Sequence, residues 1–307
     1  TGPKDFLRRL FNQEYKKYKN FFNEIIEPLF HTALNTELPD NFFPYLNCKI
    51  PFLNGGLFQP IKNYNWVETD ITINNKIIEN ILDVFDQYNF TINEEDPLEK
   101  EVAIDPEMLG KTFEKLLDIK NRRSSGTFYT PREIVKFMCE DALNAFLSSR
   151  ANKNLSNITI KNFIKFENLL DNTEIEQIKQ NATMLDKNLK EIKLCDPAVG
   201  TGAFVVEMLN LITKTRKKLD YFINKKRSEY FLKIHTIQKS LYGVDIENHA
   251  IEITKLRLWL SLVIDEKNYE KISTLPNLDF KFMVGNSLYK DKQDSLLDYP
   301  VLKEIEK

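Results

Sequence analysis

The chain has 307 residues, enough for about two domains and for a sizeable core without disulfide staples. Its 43 Lys and Arg stand against 45 Asp and Glu, with 42% hydrophobic and 29% charged residues, which excludes a disordered tail and leaves no strongly basic footprint. The separated Cys48, Cys139 and Cys195 and the histidines His31, His235 and His249 give no metal-ligand spacing, no apolar run approaches a membrane span of roughly 20 residues, and a reducing, cytoplasmic setting fits.

Thr1-Gly2-Pro3-Lys4 lacks the apolar core of a signal peptide. With no initiator Met and an end at Lys307 that carries no stop signal, the chain is expected to be a piece of something longer. Residues 4 to 34 place Leu7, Leu10, Phe11, Tyr15, Tyr18, Phe22, Ile25, Ile26, Leu29 and Phe30 three and four apart, which predicts one amphipathic helix. Residues 39 to 60, rich in Pro, Asn, Gly and Phe, read as an ordered loop, with Asn54-Gly55-Gly56 as a turn signal. Helical spacing returns at 75 to 88 and after Asp105-Pro106-Glu107, so the first third is expected to be mostly helical.

Asn121 to Gly126 reads as a linker. Thr130-Pro131-Arg132-Glu133 then spells a capping box, with Thr as N-cap, Pro at the first helical position and Glu at the third. The helix it opens runs through Ile134, Val135, Met138, Leu143 and Phe146. Residues 150 to 190 are polar and helical in pattern, with nothing chemical in them. Three short apolar runs follow, at 192 to 196, 241 to 245 and 280 to 284, separated by helical stretches at 203 to 239 and 248 to 264. In the second of these stretches Leu256, Trp259, Leu260 and Val263 are expected in the core. Strand, helix, strand, helix, strand is the pattern of a parallel α/β sheet with right-handed crossovers.

Ligands of such sheets bind beyond the carboxyl ends of the strands. After the first run stands Asp196-Pro197-Ala198-Val199-Gly200-Thr201-Gly202-Ala203-Phe204. Its two glycines permit a tight bend and close ligand approach, and the helix that follows presents free N–H groups. The third glycine of a dinucleotide fingerprint is replaced by Val205. Asp196 would repel a pyrophosphate but accept hydrogen bonds from an ammonium group beside a sulfonium, which favours S-adenosylmethionine (AdoMet) over NAD. Asp245, ending the second run, is placed to accept two ribose hydroxyls, with Ile246 beside it for an adenine face. Asn286, after the third, is either an adenine-edge contact or a turn residue. The basic stretch from Lys214 to Lys239, interleaved with Tyr221, Phe222, Tyr230 and Phe231, reads first as a solvated helix face with a buried aromatic side, and second as a track for a phosphate backbone.

Residues 196 to 204 resemble motif I of the adenine-N6 DNA methyltransferases, and Gly126 to Val135 resembles their motif X, in the order where X precedes I. Pro51 to Phe58 and Asp105 to Gly110 resemble the helical region before motif X in type IIG restriction-modification enzymes and related phage-exclusion methyltransferases. Gly243 to Leu262 and Val284 to Leu288 resemble motifs II and III. The resemblance implies an α/β fold: a truncated, Rossmann-like class I methyltransferase sheet in residues 121–307, preceded by a mainly helical domain in residues 1–120. It implies that Asp196, Pro197, Ala198, Gly200, Thr201, Gly202, Ala203 and Phe204 hold the methionine end of AdoMet. Asp245, Ile246 and Asn286 would hold the adenosine, and Phe128, Tyr129 and Thr130 would close over the methionine carboxylate.

The family's catalytic motif IV contains Pro-Pro, and no Pro-Pro occurs in this sequence. No residue is therefore assigned a catalytic or metal-binding role, and the chain alone is expected not to methylate. Double-stranded DNA is the expected substrate of the whole protein, reached through regions mostly outside these residues, with no membrane partner. The Ile192 to Asp196 strand is expected at an open sheet edge, which favours self-association or loosely ordered loops. The alternatives are a methyltransferase of RNA, protein or a small molecule, and a non-catalytic specificity or scaffold subunit.

Overall fold

The computed structural model describes residues 5–50, 52, 71–87, 89–90, 103–104, 130–165, 170–263, 278 and 280–288. The linker, the turn at 54 to 56, the region after Asp105 and the residues Phe128 and Tyr129 lie outside them.

The predicted helix over residues 4 to 34 is two pieces. Helix α1 (Phe6–Phe11) stops before Gln13, whose φ of 62° turns the chain, and helical structure resumes at Phe21 with π-helical turns at Phe22–Ile26 and Leu29–Ala33. Side-chain capping at Asn20 overrides the unbroken apolar spacing. The Asn23 N–H donates to Asn20 Oδ1 at 2.9 Å, while Glu24 Oε1 accepts from the Asn20 N–H at 2.8 Å. The two pieces fold together around Leu10, Phe21, Ile25, Leu29 and Ala33. The Phe11 and Phe21 rings meet edge to face at 5.1 Å.

The loop predicted after Pro39 contains an antiparallel pair, β1 (Phe42–Phe43) with β2 (Cys48–Lys49), which adds Phe43, Leu46 and Ile50 to the same core. Helix α2 (Asn75–Asp86) forms as expected, capped by Asn74, and Arg8 of α1 reaches Asp83 at 2.8 Å and Asp86 at 2.7 Å on it. A short parallel pair, β3 (Asn89–Phe90) with β4 (Ala103–Ile104), follows.

Helix α3 (Arg132–Ser148) starts one residue later than predicted. Pro131, with ψ of 142°, is the N-cap and not the first helical residue, so the register of the Thr130–Glu133 box shifts and no side-chain cap bond forms. Ile134 and Met138 are exposed, whereas Val135, Cys139, Leu143 and Leu147 are buried. Helices α4 (Asn157–Lys165) and α5 (Asn172–Glu191) fill the polar region, and the genuine capping box is there, between Asp171 and Glu174.

The parallel sheet comprises β5 (Leu194–Asp196), β6 (Leu241–Asp245) and β7 (Phe282–Val284), in the order β5-β6-β7. Strand β5 occupies an edge of the described sheet. Helix α6 (Ala203–Phe222), helix α7 (Glu229–Lys239) and helix α8 (Asn248–Val263) make the crossovers. The predicted helix over 203 to 239 is thus broken, at Asn224 with φ of 49° and by a fresh N-cap at Ser228.

Three strands added in one direction with right-handed crossovers carry their helices on one face. There Val205, Leu209, Ile237, Leu241, Ile251, Leu258, Leu262 and Phe282 form one core, while α3 to α6 share another through Leu143, Leu185, Met208 and Ile212. On the other face Cys195 and Met283 are exposed. Of the residues expected in the core of α8, Leu256, Trp259 and Leu260 are only half-buried. The helix is rotated so that Ile251, Thr254, Arg257 and Leu258 face inward.

Gly243 holds the centre of β6. A Cβ there would lie 2.9 Å from Phe282 Cδ1 and 3.0 Å from Val199 Cβ and Cγ2. Gly243→Ala is expected to cost about 1–3 kcal/mol by overpacking. Urea denaturation of the two proteins measures the difference.

Candidate functional site

The tips of β5, β6 and β7 converge. Val199, just past β5, donates its N–H to Val244 O at 2.9 Å, and Gly285 at the end of β7 donates to Asp245 O at 2.8 Å. Ser287 Oγ reaches across to Pro197 O at 2.7 Å. Segments 45 and 90 residues apart in sequence therefore share one rim.

The loop between β5 and α6 is a closed turn, with Gly202 N–H bonded to Val199 O at 2.9 Å. Gly200 and Gly202 both occupy the left-handed region, at φ of 53° and 86°, where a side chain would strain the backbone. A Cβ on Gly200 would meet nothing within 4 Å, so the backbone there faces open space. Gly202 is the N-cap of α6, whose 20 residues direct the positive end of the helix dipole at the loop. Val205, standing where a dinucleotide fingerprint has its third glycine, is fully buried in the core.

Two carboxylates flank this loop. Asp196 Oδ1 accepts from the Ala198 N–H at 3.1 Å. Asp245 Oδ2 accepts from the Gly200 N–H at 2.7 Å and its Oδ1 from the Glu247 N–H at 2.9 Å. Burial raises the pKa of Asp196, the bond from Ala198 opposes the rise, and the negative charge of Asp245 adds to it. Such a rim attracts a cation and repels a pyrophosphate. Each oxygen of Asp245 keeps a further lone pair for a ligand hydroxyl. Ile246 beside it is 57% exposed, an apolar surface at the rim. Asn286 Oδ1 accepts from the Leu288 N–H at 3.0 Å, a turn contact made by the side-chain oxygen.

Pro197 and Ala198 are exposed, Thr201 is buried, and Ala203 and Phe204 are half-buried at the head of α6. Thr130 is described and half-buried, and helix α3 behind it packs on α6, with Cys139 Sγ directed at Phe204 O at 3.7 Å. Burial pushes the Cys139 thiol up to about 12, so it is no nucleophile at neutral pH. Among the described residues no cluster of His, Cys, Asp and Glu fits a metal ion, and no helix is long and apolar enough to cross a membrane.

The sequence pattern did not expose Thr254 and Arg257. Thr254 Oγ1 donates to Gly200 O at 2.9 Å and Arg257 Nη1 to Thr201 O at 2.8 Å. The one available signal was two polar residues three apart, in register with Ile251 and Leu258.

The basic stretch from Lys214 to Lys239 is solvated at Lys214, Lys217, Lys225, Lys226 and Lys239, with Phe222 and Tyr230 half-buried against the cores, but its two arginines turn inward. Arg216 is buried and bonded to Asp186, Arg227 binds Asp186 and Asp220, and Lys217 and Lys218 reach backbone carbonyls. Of its aromatics, Tyr221 and Phe231 are exposed.

Residues 172–293 match the family model of the MmeI DNA-methyltransferase domain. A Methanocaldococcus jannaschii protein assigned as a type II restriction enzyme and methyltransferase is 34% identical over 93% of this chain, which spans 25% of that relative. The adenine-specific methyltransferase PglX of Lacticaseibacillus casei is 22% identical over 49% of this chain and 12% of its own. The solved structure of the type IIL restriction-modification enzyme MmeI in complex with DNA superposes with a TM-score of 0.57 and 18% identity, over 94% of this chain and 35% of that one. The chain thus spans about a quarter of the Methanocaldococcus jannaschii relative and about a third of the MmeI chain. The resemblance legible in the motifs stands: the chain is related to the DNA-methyltransferase regions of restriction-modification enzymes.

Proposed function

We propose that this chain is the AdoMet-binding part of an adenine-N6 DNA methyltransferase of the restriction-modification type, built on a Rossmann-like class I methyltransferase sheet. We assign residues 1–120 to a helical domain and residues 121–307 to the cofactor-binding part. The observation that carries the reading is the pair of carboxylates at adjacent strand tips, Asp196 and Asp245, flanking a glycine turn whose outer side is open. Two negative charges there suit a ligand with an ammonium and a sulfonium and disfavour a dinucleotide.

AdoMet, when bound, supplies a methyl group on a sulfonium centre for direct attack by an adenine amino nitrogen. The chain's own residues bind and orient it. Asp196 accepts from the ammonium. Pro197, Ala198, Gly200, Thr201, Gly202, Ala203 and Phe204 shape the methionine end. Asp245 accepts from the ribose hydroxyls, and Ile246 and Asn286 border the adenine. We assign Phe128, Tyr129 and Thr130 to the methionine carboxylate. DNA, in a cytoplasmic setting, is the methyl acceptor of the longer protein. Arg216 and Arg227 are engaged internally with Asp186 and are not offered to DNA.

Calorimetric titration with AdoMet, S-adenosylhomocysteine and NAD tests the reading. The first two should bind and NAD should not. Binding of NAD alone, or of none of the three, overturns it.

A further inference from the structure

The turn between β5 and α6 is held from beneath by side chains of a neighbouring helix. Helix α8 lies under it, and two of its buried polar residues take the two consecutive carbonyls of the turn: Thr254 Oγ1 donates to Gly200 O at 2.9 Å and Arg257 Nη1 to Thr201 O at 2.8 Å. Thr254 is fully buried and Arg257 is 4% exposed, so each bond lies in low dielectric. In a trans peptide the carbonyl and the following N–H point in opposite directions. Drawing Gly200 O down to Thr254 therefore turns the Thr201 N–H away from α8. Drawing Thr201 O down to Arg257 turns the Gly202 N–H toward Val199 O, where the turn closes at 2.9 Å.

The fit is close as well as polar. A Cβ on Gly202 would lie 2.9 Å from Thr254 Oγ1 and 3.0 Å from its Cγ2, so this glycine is required by the side chain below it. From above, Asp245 Oδ2 accepts the Gly200 N–H at 2.7 Å. Gly200 is thus gripped through its N–H by β6 and through its C=O by α8.

We infer that Thr254 and Arg257 are positioning residues for cofactor binding, acting through the Gly200–Gly202 backbone. This rests on the AdoMet reading above for its ligand, although the clamp itself is a property of the free chain. Thr254→Val keeps the shape of the side chain and removes the hydroxyl, whereas Thr254→Ser keeps the hydroxyl and removes a methyl.

The experiment has two arms, each run on the full 307-residue chain. In the first, amide hydrogen exchange is measured on the free protein. Thr254→Val should accelerate exchange at residues 200–203 without changing the protected centre of α6, and Thr254→Ser should restore protection. In the second, AdoMet titration should show roughly five- to tenfold weaker binding for Thr254→Val, the weight of one hydrogen bond, with recovery in Thr254→Ser. Arg257→Met should act in the same direction in both arms. Unchanged exchange in the loop overturns the clamp whether or not the ligand binds, and equal affinity of Thr254→Val and the parent overturns its role in binding. If the parent binds no AdoMet while exchange responds as described, the cofactor reading falls and the clamp stands.

Discussion

Asp186→Ala should destabilise the fold by about 3–5 kcal/mol, the scale for removing one partner from a buried ion pair. Asp186 on α5 is almost fully buried and accepts from Arg216 Nε of α6 at 2.9 Å and from Arg227 Nη1, just before α7, at 3.0 Å on each oxygen. Arg227 also donates its Nε to Asp220 at 2.7 Å, so two carboxylates and two guanidiniums interlock α5, α6 and the segment that leads into α7. Without Asp186, Arg216 would be a buried cation lacking its counter-ion, and its Nη1 is already buried without a hydrogen-bond partner. Burial alone would raise the pKa of Asp186, but Arg216 and then Arg227 outweigh it and hold the carboxyl below its ordinary range. A depressed carboxylate pKa gives stability that is present above the unfolded value, about 3.9, and is lost as pH falls through the lower folded value. The difference between Asp186→Ala and the parent in urea denaturation should therefore be full at pH 7 and shrink only below about pH 4. A variant as stable as the parent at pH 7 would show that the cluster contributes nothing net.

That cluster also marks where sequence patterning stops. Within the stretch from 214 to 239, Arg216 and Arg227 read as surface charges because a one-dimensional pattern cannot pair them with an aspartate 30 and 41 residues upstream. The strands were legible because each combines a short β-branched or apolar run with a polar tip. Strand β6 spans Leu241–Asp245 as predicted, and β5 and β7 lose only the first two residues of their runs. Helix existence was legible too, but not helix continuity. Apolar spacing runs unbroken past Gln13 and Asn224, and at both places a left-handed residue followed by a new cap decides otherwise. The glycine turn was readable as a turn. Its support from Thr254 and Arg257 was not, since the residues that fix a loop from below need only one polar atom on a buried face. The capping box at Thr130 failed through one dihedral, the ψ of Pro131, which moved the helix start by a single position.

Asp196→Asn should weaken AdoMet binding by about 10- to 100-fold, the effect of losing a charge-assisted hydrogen bond of about 1.5–3 kcal/mol, and should at the same time raise the melting temperature of the free protein. The two effects share one cause. Asp196 is placed where burial disfavours its charge and where Asp245 repels it, with a single compensating bond from the Ala198 N–H. Its folded pKa lies above the unfolded one, so its contribution to stability is present below the unfolded value and is lost as pH rises through the folded value. At neutral pH the free fold carries an ionised carboxylate at a net cost, and an amide of the same shape removes it. The gap in melting temperature between Asp196→Asn and the parent should widen as pH rises out of the carboxylate range. Binding runs the other way. A cationic ligand needs the ionised form, so the parent's affinity should fall as Asp196 takes up its proton in acid, while the variant's should lack that part of the pH dependence. Melting curves and calorimetry on the same two proteins across pH 4 to 8, roughly the span over which a raised carboxylate titrates, measure both. Equal affinities, or a variant less stable than the parent at neutral pH, would show that the rim is not held in readiness for a cation.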